Sequence, residues 1–146
     1  MAILVTGGRT YALDWLVWRA LDGEADPGTV IVQGGSPRGA DYHARTWADA
    51  HGHPCVSVLA PWRYHGPKAG PLRNAWMLSL FKVDLVLAFT GGKGTQDMVE
   101  RARAAGIPVV QYGLGDLISD DRHEPVGQVA ADGEDGRAVS DERAPG

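Results

Sequence analysis

The sequence predicts an α/β domain built on a mainly parallel, five-stranded sheet with helices on both faces. Short, continuously apolar, β-prone runs alternate with longer helical patterns, as expected for strands buried on both sides. Three of the five runs end in a glycine pair: Gly7-Gly8, Gly34-Gly35 and Gly91-Gly92. The last pair leads through Lys93-Gly94-Thr95 straight into a helical pattern.

The first strand is Ala2-Ile3-Leu4-Val5, ending in Thr6-Gly7-Gly8-Arg9. Helical content follows from Asp14 to Leu21, and Asp26-Pro27-Gly28 marks a turn. Thr29 to Gln33 is the second strand. Ala40 to Ala50 is an alanine-rich helix with Gly52 past its end as a C-cap. Val56 to Leu59 is the third strand. Ala60 to Gly70 reads as a loop, and Pro71 introduces a helix over Leu72 to Leu80. Val83 to Phe89 is the fourth strand. Thr95 to Ala105 is a helix whose Met98, Val99, Ala102 and Ala105 form one apolar stripe, with Thr95 placed to cap it. Gly106 ends that helix, and Pro108 to Tyr112 is the fifth strand.

Past Ile118 the pattern stops. Residues 119–146 contain no aromatic residue and carry eight acidic and three basic side chains. We expect residues 1–118 to form one domain and residues 119–146 a disordered acidic tail. The remaining 118 residues carry ten acidic and eleven basic groups, so the body is nearly neutral although the whole chain is at −4. A neutral body argues against a broad nucleic-acid-binding face. The single cysteine, Cys55, excludes an intrachain disulfide and fits a reducing cytoplasm. No apolar run approaches the roughly 18 residues of a membrane span. No His and carboxylate grouping has metal-ligand spacing, so neither a metal nor a bound cofactor is expected.

In an open parallel sheet, ligands sit outside the carboxyl ends of the strands. The three glycine pairs therefore gather on one edge, where one phosphate-bearing ligand can touch several of them. A strand that feeds a helix through glycines leaves the helix's first N–H groups pointing outward, a ready anion site. The common nucleotide motifs are missing. Gly34 to Gly39 is followed by Ala40-Asp41, which is not a P-loop. Thr6-Gly7-Gly8-Arg9-Thr10-Tyr11 lacks the third glycine of the dinucleotide fingerprint.

Taken in order, Thr6-Gly7-Gly8-Arg9, Gly34-Gly35-x-x-x-Gly39-Ala40-Asp41, Gly70-Pro71-Leu72-Arg73-Asn74 and Gly91-Gly92-Lys93-Gly94-Thr95 resemble the SLOG superfamily. They are most similar to its small YspA-like bacterial and phage branch, over roughly Met1 to Tyr112. The resemblance implies a Rossmann-like three-layer sandwich and a nucleotide-related ligand. The superfamily includes the LOG phosphoribohydrolases, the DNA-processing DprA proteins and sensors of nucleotide-derived signals. The enzymatic LOG pattern joins an Arg, a basic residue and a Met to P-G-G-x-G-T-x-x-E. Arg73 and Met77 match the first part, with Asn74 in place of the basic residue. Gly91, Gly92, Gly94 and Thr95 match the second, with Thr90 replacing its proline. Met98 stands where the catalytic glutamate belongs, and a thioether cannot act as a base. Asp97 lies one residue earlier, about 100° round the helix.

From these residues we expect a nucleotide or nucleotide-derived small molecule to bind, with the chain acting as a sensor or sequestering protein. The alternative is a phosphoribohydrolase in which Arg73 orients the substrate and Asp97 supplies the acid. A DNA-associated role by analogy with DprA is disfavoured by the neutral body. The expected ligand contacts are Thr6, Gly7, Gly8, Arg9, Gly34, Gly35, Gly39, Gly91, Gly92, Gly94, Thr95 and Asn74, with Ser36, Arg38 and Lys68 as further anion contacts. Arg73 is expected to clamp a phosphate. Asp41 either holds a ribose hydroxyl or favours the helix start with its charge. Trp62 either stacks on a base, or covers the sheet edge or joins a subunit contact. Cys55 reads as buried filler. LOG-like relatives dimerise, and the Trp-rich helices would supply an apolar interface for a homo-oligomer.

Overall fold

The computed structural model describes residues 1–113 and 117–122. Five parallel strands run β1 (Ala2–Thr6), β2 (Val30–Gln33), β3 (Cys55–Ser57), β4 (Leu85–Phe89) and β5 (Val109–Tyr112). A sixth, β6 (Leu117–Asp120), is antiparallel to β5, and the sheet order is β3-β2-β1-β4-β5-β6. The helices are α1 (Asp14–Glu24), α2 (Ala40–His51), α3 (Trp62–His65), α4 (Ala69–Leu80) and α5 (Lys93–Ala104), with a single 3₁₀ turn at Gly66–Lys68.

Alternation along each strand divides the core in two. Ile3 and Val5 of β1 face the layer that holds Leu16, Val17, Leu21 and Trp47 of α1 and α2. Leu4, between them, faces Met77, Met98, Val99 and Ala102 of α4 and α5. This is the expected three-layer α/β sandwich. β4 is buried along its whole length, which explains why its sequence is apolar without a break.

The structure departs from the sequence reading in four places. The sheet has six strands, because β6 adds to its edge. Leu117 and Ile118 are 55% and 70% exposed, so this edge strand carries no buried alternation to betray it. The boundary expected after residue 118 therefore falls inside β6. Arg122 ties the segment back, meeting both carboxylate oxygens of Glu24 at 2.8 Å and Asp120 at 2.8 Å. Residues 123–146, the rest of the expected tail, lie outside the described residues. The expected loop at Ala60 to Gly70 contains α3 and the 3₁₀ turn, and α4 begins at Ala69. Pro71 then sits in the first turn of α4, where a missing N–H costs no helical bond. Finally, α5 begins at Lys93 with Gly92 as its N-cap, so Thr95 lies inside the helix and does not cap it.

Candidate functional site

The order of the strands puts β1 beside both β2 and β4, and the chain leaves the sheet in different directions from their carboxyl ends. A crevice opens at such a switch point. Here it is a cleft of about 950 Å³, near the upper end for small-molecule sites.

Its floor is backbone packed on backbone. The Gly8 amide donates to Thr90 O at 2.9 Å, and Gly8 O accepts from the amides of Tyr11 and Ala40, each at 3.2 Å. A Cβ on Gly7 would lie 2.6 Å from the Cβ of Ala40. One on Gly91 would lie 2.7 Å from the Gly8 nitrogen and collide with Thr95 Oγ1. Gly39, at φ +79°, has no room for a Cβ against Gly8 O. The glycines thus bring the β1–α1 loop, the start of α2 and the β4–α5 loop into direct contact.

α5 opens onto the cleft. Among the described residues the amides of Lys93, Gly94 and Thr95 have no hydrogen-bond partner, and the first bond of the helix runs from Gln96 N to Gly92 O at 3.1 Å. Three donors and the positive end of the helix dipole therefore face the same space. A Cβ on Gly92 or Gly94 would meet nothing within 4 Å.

α4 supplies Arg73 and Asn74. Buried Asn74 donates to Gly94 O at 3.1 Å and to Asp97 Oδ2 at 3.0 Å, and accepts from Arg73 Nε at 3.1 Å. Both its amide protons are engaged within the protein, so it positions α5 against α4. Arg73 Nη1 donates to Gly34 O at 2.9 Å and Val58 O at 3.1 Å, which pins the guanidinium across the ends of β2 and β3. Burial lowers the Arg73 pKa from its ordinary value; nearby Asp41 opposes that and Arg9 adds to it. The group stays charged throughout the physiological range. Asp97 is held by Asn74 and by Arg101 Nε at 2.8 Å. Met98 is 1% exposed and packs in the α4/α5 core layer while its edge reaches the cleft floor.

β2 ends in Gln33, which is fully buried. Its side chain donates to Ser57 Oγ and accepts from the Gly35 amide, fixing the turn that follows. Asp41, in the first turn of α2, accepts from the Ser36 amide at 3.2 Å. Burial raises the Asp41 pKa, while the Ser36 amide, Arg73, the Gly34 backbone and Arg9 act in the opposite direction.

The cleft gathers sixteen of the expected residues: Thr6, Gly7, Gly8, Arg9, Gly34, Gly35, Ser36, Arg38, Asp41, Trp62, Arg73, Asn74, Gly92, Gly94, Thr95 and Asp97. Three expected residues do not line it. Gly39 and Gly91 belong to the close-packed floor, and Lys68 sits exposed on the 3₁₀ turn. Trp62 lies at the mouth, 49% exposed, with its ring edge over Gly70. Leu59, Pro67 and Lys93 also line the cleft. Leu59 was findable, because the sequence reading makes it the last residue of the third strand, at the same carboxyl edge. Pro67 was not, because its place depends on the path of an irregular segment.

The family model described as "YspA, cpYpsA-related SLOG family" matches residues 1–65. The chain is 39% identical over 121 residues to the Gene 61 protein of Mycobacterium phage D29, a match that covers 76% of this chain and 95% of that protein. Among solved structures it is similar to the molybdenum cofactor binding protein from the phototrophic bacterium Rippkaea orientalis. That match has a TM-score of 0.60 and 22% identity, and covers 77% of this chain and 76% of the other. The fold is thus shared with that structure. With the glycine-lined edge in place and the phage relative matched over nearly its full length, the chain belongs to the YspA, cpYpsA-related SLOG family.

Proposed function

We propose that the protein binds a nucleotide or nucleotide-derived small molecule in the cleft, with a phosphate on the first turn of α5. It would act as a sensor or sequestering protein in a reducing cytoplasm. One observation carries this: the amides of Lys93, Gly94 and Thr95, without a partner among the described residues, open into a cleft that also holds three arginines, Arg9, Arg38 and Arg73. An anion there gains charge-assisted hydrogen bonds from a preformed backbone. Trp62, Leu59 and Pro67 offer an apolar wall for a flat ring. The exposed Trp76 and Leu80 of α4 would serve a homo-oligomer.

The enzymatic alternative has one feature in its favour, the carboxylate of Asp97 in the cleft. It has two against it. The Met98 position offers no carboxylate, and Asp97 is engaged by Arg101 and Asn74. Incubation with nucleoside 5′-monophosphates and ADP-ribose, followed by mass spectrometry, separates the readings. Recovery of an intact bound ligand is expected. Release of free base that disappears in Asp97→Asn would establish the hydrolase instead.

A further inference from the structure

Arg73 is flanked by a carboxylate, and that changes what this end of the cleft recognises. A Cβ on Gly34 would lie 2.5 Å from Arg73 Nη1 and 3.0 Å from Asp41 Oδ2. The two side chains therefore converge over the end of β2, through Arg73 Nη1 and Asp41 Oδ2. Their hydrogen bonds point elsewhere. Arg73 Nη1 and Nε are taken by Gly34 O, Val58 O and Asn74 Oδ1, and Nη2 has no acceptor among the described residues. Asp41 accepts from the Ser36 and Gly34 backbone, and a carboxylate has about four lone-pair sites, so acceptor capacity remains. The guanidinium and the carboxylate feel each other's charge without making a direct contact.

The donor left on Arg73, Nη2, and the remaining acceptor capacity of Asp41 belong to side chains lining the same cleft, and together they suit a group that both donates and accepts, namely a hydroxyl, and best of all two adjacent hydroxyls. A phosphate would gain from Arg73 but face Asp41 at close range. We propose that Asp41 and Arg73 clamp a vicinal diol, so that the ligand carries an unmodified ribose at this end and its phosphate at α5. This rests on the nucleotide reading above. The spacing agrees with it. β2 and β4 flank β1, so their ends lie two strand spacings apart, roughly 10 Å. A ribose 5-phosphate bridges that span with contacts of about 3 Å at either end.

The test uses the full chain and compares AMP, GMP, CMP and UMP with their 2′,3′-dideoxy counterparts by calorimetry. A site built to bond a hydroxyl rejects an analogue that lacks it, because its own polar groups are then left unpaired. The best-binding ribonucleotide should therefore bind about tenfold or more tightly than its dideoxy form. In Asp41→Asn the gap should narrow to about twofold or less, with Arg73→Gln as an independent second variant. A nucleoside 2′,5′-bisphosphate should bind wild type more weakly than the 5′-monophosphate, and Asp41→Asn should relieve that penalty. Equal affinity of wild type for ribo and dideoxy forms would overturn the clamp and leave nucleotide binding standing. No binding by any of the four ribonucleotides would overturn both. The wild-type comparison needs no variant to fold.

Discussion

Gly92→Val separates the anion site from the fold. At Gly92 φ is −99°, open to any L-residue, and an added Cβ meets nothing within 4 Å. The branched side chain enters the cleft beside the amides of Lys93, Gly94 and Thr95. Hydrogen bonds to a charged group are worth about 1.5–3 kcal/mol each. Blocking two of the three amides should then cost about 3–6 kcal/mol, at least a hundredfold in affinity. Stability should barely move, within about 3 °C in Tm, since an open surface substitution changes it by about 0.5 kcal/mol or less. Gly91→Ala, one residue away, supplies the contrast. Its methyl would meet the Gly8 nitrogen at 2.7 Å and Gly7 C at 3.0 Å, so the backbone itself must shift. That variant should lose stability as well as binding. Calorimetric titration with nucleoside monophosphates and thermal melts of both variants make the measurement. A folded Gly92→Val that binds like wild type would refute the placement of the phosphate.

Three further outcomes follow from particular contacts. Truncation after Arg122 should leave Tm within about 5 °C, whereas truncation after residue 118 should lower it by more, because it cuts β6 and removes the bidentate Arg122–Glu24 pair; equal melts would show that β6 adds nothing. Met98→Glu would place a carboxylate at a position 1% exposed in an apolar layer, so Tm should drop by roughly 10 °C or more. A variant that melts like wild type would mean that the new side chain escapes into the cleft. Asp41 has a raised pKa, so the fold favours its neutral form; that contribution is full below the ordinary carboxylate range and is lost as pH rises through the folded value. Ligand-free Asp41→Asn should therefore melt higher than wild type at pH 7, with the difference closing below about pH 4; a lower melt at pH 7 would contradict it.

Most of the fold was legible because burial writes itself into sequence. β4 is apolar throughout because it is covered on both faces, and Gly52 and Gly106 marked helix ends that do turn through positive φ. β6 was not legible. Its Leu117-Ile118 pair is exposed, and an antiparallel edge strand is held by backbone bonds to β5 that leave no pattern. The cleft was readable from glycine pairs at strand ends. The division of labour within it was not, since a motif glycine that must meet a ligand looks the same as one that must meet another backbone. Gly92 has open surroundings, whereas Gly39 and Gly91 are pressed against neighbouring backbone. Likewise Asn74 and Arg73 are neighbours in one motif, yet only the structure shows that both amide protons of Asn74 are already engaged.

The interlocked glycines beneath the cleft also bear on how binding is driven. Three connecting segments that ordinarily move independently are here wedged against one another through Gly7, Gly8, Gly39 and Gly91. A ligand arriving at such a floor has little chain to order, so the entropic penalty usual for loop-built sites is small. Association should then be fast and largely independent of conformational exchange, and selectivity should lie in dissociation rates. Homologous chains that exchange any of these glycines for alanine would have to open the floor by the width of a methyl group, and their ligands would bear the cost of closing it.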